Sequence, residues 1–240
     1  MASAGPDGFM PSNVTVSNVT QNATTGLLTR YERIGEGFVI GSAQGADLGG
    51  DALITWGRWV SGTTGMERSY DPSIVDPNDT IAANQGLHYV LGQPSASLPA
   101  TGTATYNLLG ATSPTFADGA SAAGTVTSAS LAVTWGGATG SAVALDMALT
   151  MPSDGSYRVT TPAGSVMITN AAKFQDFTTP VSVTAGTGRA CSGSGTCQAT
   201  INGFFAGDNG ARAGLAYRIN SSGGPKSAND ILGAAAFVKQ

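Results

Sequence analysis

The chain has 240 residues and a net charge of −4; 41% of its residues are hydrophobic and only 11% are charged. This much apolar surface can bury a core, which argues against a disordered protein. The acidic balance and the lack of a basic stripe argue against nucleic acids and anionic membrane surfaces as partners. No apolar run approaches the roughly 20 residues of a transmembrane helix, so we predict no membrane-spanning segment.

The N-terminal residues 1–25 are polar and rich in Asn, Thr and Ser, without periodic apolar positions. We therefore predict an irregular lead-in over 1–25, followed by one β-barrel domain with accessory N-terminal strands over 26–240. The first residues lack the basic and apolar regions of a signal peptide. A cytosolic protein and a domain of a longer exported chain both fit this start. The low lysine content and the cysteine usage favour the exported domain.

Strand candidates follow at 27–41, 52–60 and 86–92. Trp56 and Trp59 are separated by an odd number of residues, so a regular strand points them to opposite faces. One is expected in the core, and the other is expected exposed or beneath a loop. Two Asp-Pro steps between these strands predict a long loop over 61–85.

Few residues in the N-terminal half are candidates for catalysis or metal binding. His88, the only histidine, could be a metal or haem ligand, but a lone His beside a Tyr on a strand is more typical of hydrogen-bonded structure or surface. Asp71, Asp76 and Asp79 could hold calcium, although Asp-Pro steps are ordinary turn chemistry and the spacing fits no EF-hand. No serine has a nucleophile-elbow pattern. We therefore predict no enzyme, no cofactor, no catalytic residues and no metal site.

The second half alternates apolar and polar residues with a period of two, which indicates strands with one buried face. The clearest pair is 129–136 and 142–151, joined as a hairpin by GATGS. Only AAKFQDF after Asn170, a candidate N-cap, is typical of a short helix. About ten strand runs without a long helix predict an antiparallel sandwich or barrel. The other runs lie at 102–109, 155–161, 164–169, 197–206, 213–220 and 230–238.

Cys191 and Cys197 are the only two cysteines, and five small residues separate them. The segment between them can double back and bring the thiols within bonding range. No His, further Cys or carboxylate flanks the loop to complete a metal site, and the C-x-x-C spacing of a redox pair is absent. We predict a structural disulfide, with free thiols as the alternative. A disulfide would place the protein in an oxidising compartment.

The stretch INGFFAGDNGARAGLAYRI and the later ILGAAAFVKQ resemble the closing strands of the transferrin-binding-protein-like β-barrel family. That family includes transferrin-binding protein B lobes and is similar to factor H binding protein-like surface lipoprotein barrels. Gly203, Gly207 and Gly214 fall in the register of its motif, and we expect them where strands kink or turn. The resemblance implies an up-and-down antiparallel β-barrel of roughly eight strands with additional N-terminal strands.

The same resemblance implies a non-enzymatic binding module at the bacterial cell surface or outside the cell, associated with the outer membrane and lipoprotein-like. Its partner would be a host protein or another protein, or a small molecule such as haem or an iron carrier. The binding residues are expected on loops and carry no sequence signature. Two alternatives stay open: an integral outer-membrane barrel, and a structural or interaction barrel domain of a larger bacterial envelope protein.

Overall fold

A computed structural model describes residues 1–5, 12–33, 36–68, 71–138, 140–152, 154–169, 172–193, 195–221 and 227–240. Within these ranges, 12–13, 66–68, 71–79 and 185 are described by their backbone alone. Apart from two short 3₁₀ turns at Arg189–Cys191 and Asp208–Gly210, the regular structure in these ranges is β-strand. The predicted all-β class is confirmed. In the same residues, no helix is long and apolar enough to cross a membrane.

The N-terminal half forms two five-stranded antiparallel sheets. The first sheet has the order β2-β1-β10-β7-β6, and the second has the order β3-β4-β5-β8-β9. Their bounds are β1 Ala2–Ala4, β2 Ser12–Asn13, β3 Ser17–Gln21, β4 Leu28–Arg33, β5 Glu36–Ile40, β6 Gln44–Gly50, β7 Ile54–Val60, β8 Gly62–Arg68, β9 Asp71–Ile81 and β10 Leu87–Gly92.

The C-terminal half forms a closed barrel whose wall has eight strands. In chain order its strands are β11 Gly102–Ala111, β12 Thr115–Phe116, β13 Thr125–Gly137, β14 Gly140–Met151, β15 Gly155–Thr160, β16 Val166–Met167, β17 Lys173–Gly186, β18 Cys197–Ala206, β19 Arg212–Ser221 and β20 Ile231–Lys239. The eight strands of the wall have the order β11-β13-β14-β15-β17-β18-β19-β20, and β12 and β16 are short additional strands. Pairing of β11 with β20, as in Tyr106 opposite Lys239, closes the barrel. The predicted eight-stranded antiparallel barrel with additional N-terminal strands is confirmed.

Alternation along the strands fills the barrel with side chains. On β13, Leu131, Val133 and Trp135 are at most 3% exposed and point inward, as the sequence predicts. The predicted hairpin is confirmed, because Leu131 pairs with Leu145 across β13 and β14. Burying one face of each strand in this way removes the apolar side chains from water and stabilises the closed sheet.

Three neighbouring barrel strands, β18 to β20, are buried on both faces. Their outward side chains, including Phe204, Ala216 and Ala234, form an apolar cluster with Ala2 and Val90 of the first sheet. The small alanine side chains let this sheet approach the barrel wall closely. The first sheet therefore lies between the barrel and the second sheet.

The opposite face of the first sheet packs on the second sheet through larger side chains. Trp59, 1% exposed, donates its indole N–H to the Leu28 carbonyl at 2.8 Å. The hydroxyl of Tyr89 accepts the Leu28 N–H at 3.2 Å, and the ring centroids of Tyr31 and Trp59 lie 6.3 Å apart. These aromatic contacts and hydrogen bonds join the two sheets into one packed pair.

The expected irregular lead-in over 1–25 is wrong in its secondary structure. β1 pairs with β10, and Ala2 and Ala4 are fully buried against the barrel wall. β3 pairs with β4. Three residues of Ala-Ser-Ala carry too little hydrophobic contrast to show a period, so the sequence pattern missed a strand whose burial depends on partners far along the chain.

The long loop expected over 61–85 is also wrong, because β8 and β9 form a hairpin there. β9 carries Pro72 and Pro77, which cannot donate to a ladder. It tolerates them because it lies at the edge of its sheet and pairs with β8 alone in the described residues. Register shifts in the β8–β9 ladder absorb the irregular spacing.

The helix expected over AAKFQDF is wrong for the described residues, because Ala172 lies in a bend and residues 173–177 belong to β17. Asn170, its candidate N-cap, lies outside the described residues. Phe174 is fully buried in the barrel, and Asp176 holds a bulge by accepting the Thr178 N–H at 3.1 Å and the Thr179 hydroxyl at 2.7 Å. The bulge breaks the strict alternation, which is why the segment lacks a clear strand period.

The motif glycines have two different roles. Gly207 adopts a left-handed φ of 69° in the turn after β18, as expected. Gly203 and Gly214 lie instead in an unbroken ladder between β18 and β19, so the expected kinks are wrong there. A Cβ on Gly214 would lie 2.7 Å from Val90 and 3.0 Å from the Phe204 ring. Gly214 therefore provides room for close packing of the sheet on the barrel.

Candidate functional site

A cleft of about 420 Å³ opens between the N-terminal segment, the first sheet and the barrel wall. Its apolar lining consists mainly of Val14, Val16, Val19, Leu53, Leu91 and Phe204. The volume falls in the range of small-ligand sites, and a mostly apolar lining with a few polar groups is typical of such sites. We treat it as the candidate binding site and call it the cleft.

The N-terminal segment forms one wall of the cleft. Val14 and Met1 exchange two backbone hydrogen bonds, at 2.9 and 3.0 Å, which hold the segment beside β1. Further along, the Gln21 side chain donates to the Thr55 hydroxyl at 3.1 Å and so fixes the end of β3 against β7. Val19, between these two anchors, is 38% exposed and lines the cleft.

The floor of the cleft is the outward ring of Phe204 on β18. It is 6% exposed and packs between the sheet and the barrel. A Cβ on Gly92 would lie 2.7 Å from this ring, so a larger residue there would displace it. The next residue, Phe205, points into the barrel, where it contacts Trp135 with 5.1 Å between ring centroids. The cleft floor is thus continuous with the aromatic core of the barrel.

Two charged side chains line the cleft, Asp51 and Lys173. Burial raises the pKa of Asp51, but the Leu53 N–H and the Arg212 guanidinium outweigh it and leave the pKa below its usual value. The Arg212 contact is an ion pair of 2.7 Å. In the described residues, Lys173 has no hydrogen bond or ion pair for its ammonium group. Asp51 is thus neutralised within the chain, and Lys173 leaves a positive charge at the cleft.

The amine of Met1 also faces this region. Its burial, assisted by the charge of Lys173, lowers the pKa of this amine to about 5. At neutral pH the amine is therefore uncharged, and Lys173 supplies the cationic character of the cleft.

His88 is hydrogen-bonded structure, as the sequence favours. It is fully buried between the first sheet and the barrel, with Nδ1 2.8 Å from the Thr112 hydroxyl and Nε2 2.9 Å from the Thr115 hydroxyl. Burial, with a smaller contribution from the charge of Arg58, holds its pKa well below the usual value. Both ring nitrogens are therefore engaged by hydroxyl groups in a neutral imidazole.

The two tryptophans lie on opposite faces of β7, and this prediction is confirmed. Trp59 is buried between the two sheets. Trp56 is half-buried on the barrel side, where its ring lies over Gly110 of β11 and Gly49 of β6. The tryptophan that is not in the core therefore packs on the barrel wall.

The predicted disulfide between Cys191 and Cys197 is present, with the Cα atoms 4.8 Å apart. It joins the 3₁₀ turn at Arg189–Cys191 to the first residue of β18. Because β17 runs from Lys173 to Gly186, this lies at the barrel end opposite Lys173. We call it the disulfide end, and the end that carries Lys173 the cleft end.

A polar network closes the disulfide end. Asp154 accepts hydrogen bonds from the hydroxyls of Tyr157 and Thr187 and from the Arg189 N–H. Burial raises the pKa of Asp154, but these three donors outweigh it and leave the pKa low. The Arg189 side chain pairs with Asp118 and lies over the Phe116 ring at 4.6 Å. This arrangement connects turns from several strands.

The loop before β20 adds a buried ion pair at the same end. Arg218 and Asp230 meet at 2.7 Å with side chains only 6% and 3% exposed. Asn229 accepts a hydrogen bond from Arg189 at 2.7 Å, so this loop is tied to the network described above.

The side chains of Asp71, Asp76 and Asp79, the calcium candidates, lie outside the described residues. Among the side chains that are described, no three of His, Cys, Asp and Glu gather as a metal site would require.

The residues that define the cleft were missed by sequence reasoning. Val19 lies in the segment expected to be irregular, and Lys173 in the one expected to be helical. Phe204 is part of the C-terminal motif, but its outward orientation follows from the register of β18. Neighbouring residues of a strand point to opposite faces, so Phe204 points outward where Phe205 points into the barrel. Knowing the register of β18 would therefore have been needed to place Phe204 in the cleft.

Comparisons with known proteins give likenesses of structure. No protein-family model and no curated protein sequence matches this chain. The solved structure of intact Ap-TbpB, with its N and C lobes, matches with 14% identity and a TM-score of 0.46, covering 100% of this chain and 45% of that one. The isotype 1 transferrin binding protein B of serogroup B Neisseria meningitidis matches with 13% identity and a TM-score of 0.42, covering 100% and 43%.

This chain therefore spans less than half the length of either matched protein. At such identities and TM-scores the likenesses carry no argument about function. Both matched structures nevertheless come from the family that the C-terminal glycine-aromatic motif resembles.

Proposed function

We propose that this chain is a non-enzymatic binding module that holds its partner at the cleft. The observation that carries the proposal is an open, mostly apolar cleft of about 420 Å³ bordered by a barrel whose interior is filled with side chains. Val19 remains 38% exposed in its wall. A concave apolar surface on a rigid support is what a binding protein needs, because little conformational entropy is lost on association.

The partner class that we propose is a host protein or an iron carrier, with haem as the small-molecule candidate. The basis is the resemblance of the C-terminal strands to surface lipoprotein barrels. Both matched structures are of a protein named for binding transferrin. The corresponding location is the bacterial cell surface or the extracellular space, in association with the outer membrane. The disulfide fits such an oxidising compartment. We also propose that residues 26–240 form a single β-barrel domain with accessory strands, to which β1 and β3 of the first 25 residues are added by strand pairing.

A second candidate function is an interaction barrel within a larger envelope protein. Phe177 favours it, because this side chain is 52% exposed at the bulge of β17, away from the cleft lining. Aromatic side chains are enriched in protein–protein interfaces, so Phe177 is a contact that an adjoining domain would cover. Replacing Phe177 by Ser would then weaken assembly with that neighbour and leave cleft binding unchanged.

The test is a serum pull-down and a hemin titration with the intact chain and two variants. Val19→Glu places a charge in the apolar cleft wall. Leu109→Glu is the matched control, since Leu109 is 36% exposed and does not line the cleft. We expect capture by the original chain and Leu109→Glu, and at least a tenfold loss with Val19→Glu. Equal capture by all three, or none by any, would refute cleft binding.

A further inference from the structure

The charge of the cleft selects among partners. Asp51 is already neutralised by Arg212 at 2.7 Å, whereas Lys173 has no carboxylate partner among the described residues. An ammonium group beside an apolar floor favours a ligand that carries one negative charge next to apolar groups. Carboxylates are the commonest such groups in polypeptides, fatty acids and porphyrins.

The wall of the cleft selects further, because it includes a sheet edge. β3 has a single strand partner, β4, in the described part of the second sheet. An edge strand presents unpaired N–H and C=O groups along its outer side, and an extended polypeptide can pair with them. Fatty acids and porphyrins have no matching row of donors and acceptors.

Two other edge strands of the five-stranded sheets, β9 and β6, are protected, and β3 is not protected in the same ways. β9 carries Pro72 and Pro77, which block strand addition. β6 is fastened to the barrel, since the Asp47 carboxylate accepts hydrogen bonds from the Ser113 N–H at 2.8 Å and from the Ser113 hydroxyl at 3.1 Å. β3, by contrast, contains no proline and no charged residue.

A bulge in β3 directs one of its side chains toward the cleft. The ladder with β4 shifts register between Ser17 and Thr20, and Asn18 has a left-handed φ of 46°. Such bulges re-aim side chains. Here the re-aimed residue is Val19, which lines the cleft together with Gln21 of the same strand.

Resting on the proposed binding role of the cleft, we propose that its occupant is an extended polypeptide segment of a partner, with apolar side chains on both sides of one Asp or Glu. The segment lies along the outer edge of β3. Its apolar side chains contact Val19, Leu53 and Phe204, and its carboxylate pairs with the Lys173 ammonium. A cleft of about 420 Å³ accommodates a few side chains, so a short stretch of the partner is recognised.

The probe is a phage-displayed library of random heptapeptides, selected on the intact chain. Peptides enriched on it are synthesised, and their Kd is measured by fluorescence anisotropy for the original chain, Val19→Glu and Lys173→Gln. The matched control is Lys239→Gln, because Lys239 lies outside the cleft lining and donates to the Asn209 carbonyl at 3.2 Å. Thermal melts confirm that each variant is folded. Hydrogen exchange of the residue 14–21 amides is compared with and without peptide, and hemin and dodecanoate are tested as competitors.

We expect enriched peptides to carry Asp or Glu flanked by apolar residues. Lys173→Gln weakens binding by about tenfold, as loss of one charged contact does, while Lys239→Gln leaves it unchanged. Bound peptide slows exchange of amides within residues 14–21. Peptides that bind Lys173→Gln or Val19→Glu as tightly as the original chain would overturn the proposal.

Selection of no peptide, with hemin or dodecanoate binding at the cleft instead, would overturn the polypeptide assignment. If the serum partner is lost in Val19→Glu but no acidic peptide is enriched, this inference fails and the proposed function stands. If neither serum nor library yields a ligand that depends on Val19, both fail.

Discussion

The two ends of the barrel differ in the chemistry of their side chains. At the disulfide end, Asp154, Arg189 and the buried pair of Arg218 and Asp230 are joined by charged hydrogen bonds, and a disulfide adds a covalent link. At the cleft end, apolar groups remain partly open, and the charge of Lys173 is unpaired within the described residues. The polar groups of the disulfide end therefore serve stability, whereas the cleft end keeps its surface available for binding.

The largest effect is expected from Asp230→Ala at the disulfide end. It removes the carboxylate that neutralises Arg218 at a site where the two side chains are 6% and 3% exposed. Breaking a buried ion pair from one side costs about 3–5 kcal/mol of unfolding free energy. Chemical denaturation measures it. The control Asp146→Ala removes the exposed pair with Arg158, where the side chains are 48% and 59% exposed, and should cost under about 1 kcal/mol. Equal losses for the two variants would contradict the comparison.

A somewhat smaller effect is expected from Asp154→Ala. This variant leaves the Tyr157 and Thr187 hydroxyls and the Arg189 N–H without their common acceptor. Hydrogen bonds to a charged group contribute about 1.5–3 kcal/mol, so we expect a loss of about 3 kcal/mol, measured by denaturation. Cleft binding, tested with the serum pull-down, should persist in the folded variant. A selective loss of binding would show that the two ends are not independent.

Removal of the disulfide should destabilise the protein by about 2 kcal/mol. Replacing both Cys191 and Cys197 by Ser opens a loop with a sequence separation of six residues, and short loops gain little chain entropy when cut. Thermal unfolding of the double variant, against the original chain under oxidising and reducing conditions, measures the effect. Reduction should lower the Tm of the original chain alone; a matching shift in the double variant would contradict the assignment.

The smallest effect is a pH dependence from His88, which lies where the first sheet meets loop residues of the disulfide end. Its folded pKa lies below its ordinary value of 6.5, so the unfolded chain binds the proton more readily. Stability is therefore fully present above about pH 6.5 and falls as the pH decreases below it, by at most about 1.4 kcal/mol per unit.

Denaturation of the original chain and His88→Gln between pH 5 and 7.5 checks this dependence. The difference between the two chains isolates the histidine from the Met1 amine, whose lowered pKa acts in the same direction over a wider range. A His88→Gln variant with the same pH slope as the original chain would contradict the assignment.

The sequence predicted those parts of the fold that show a strong local period. The hairpin of β13 and β14 has one face in the barrel and one toward solvent, so its alternation is visible in the chain. The disulfide followed from spacing alone. β1 and β17 were not predicted as strands, because β1 has only small residues and β17 contains a bulge at Asp176. In both, the strand is imposed by partners distant in sequence.

The cleft could not be predicted, because its walls come from six separated stretches of the chain. Val19, Leu53, Lys173 and Phe204 meet only after the barrel has closed and the first sheet has docked on it. The hydrogen-bonded structural role of His88 could be predicted, since a lone histidine beside Tyr89 on a strand is visible in the chain. A site assembled from valines, a phenylalanine and one lysine leaves no comparable pattern.

The apolar cluster that joins Ala2 and Val90 to Ala216 and Ala234 has a consequence for how the chain folds. The first strand finds its packing surface in strands that are more than 200 positions further along the chain and are therefore synthesised after it. Such distant contacts cost loop-closure entropy before they return any stability, so we expect slow folding. During synthesis or export, the N-terminal sheets must wait, with one apolar face uncovered, until β19 and β20 have emerged.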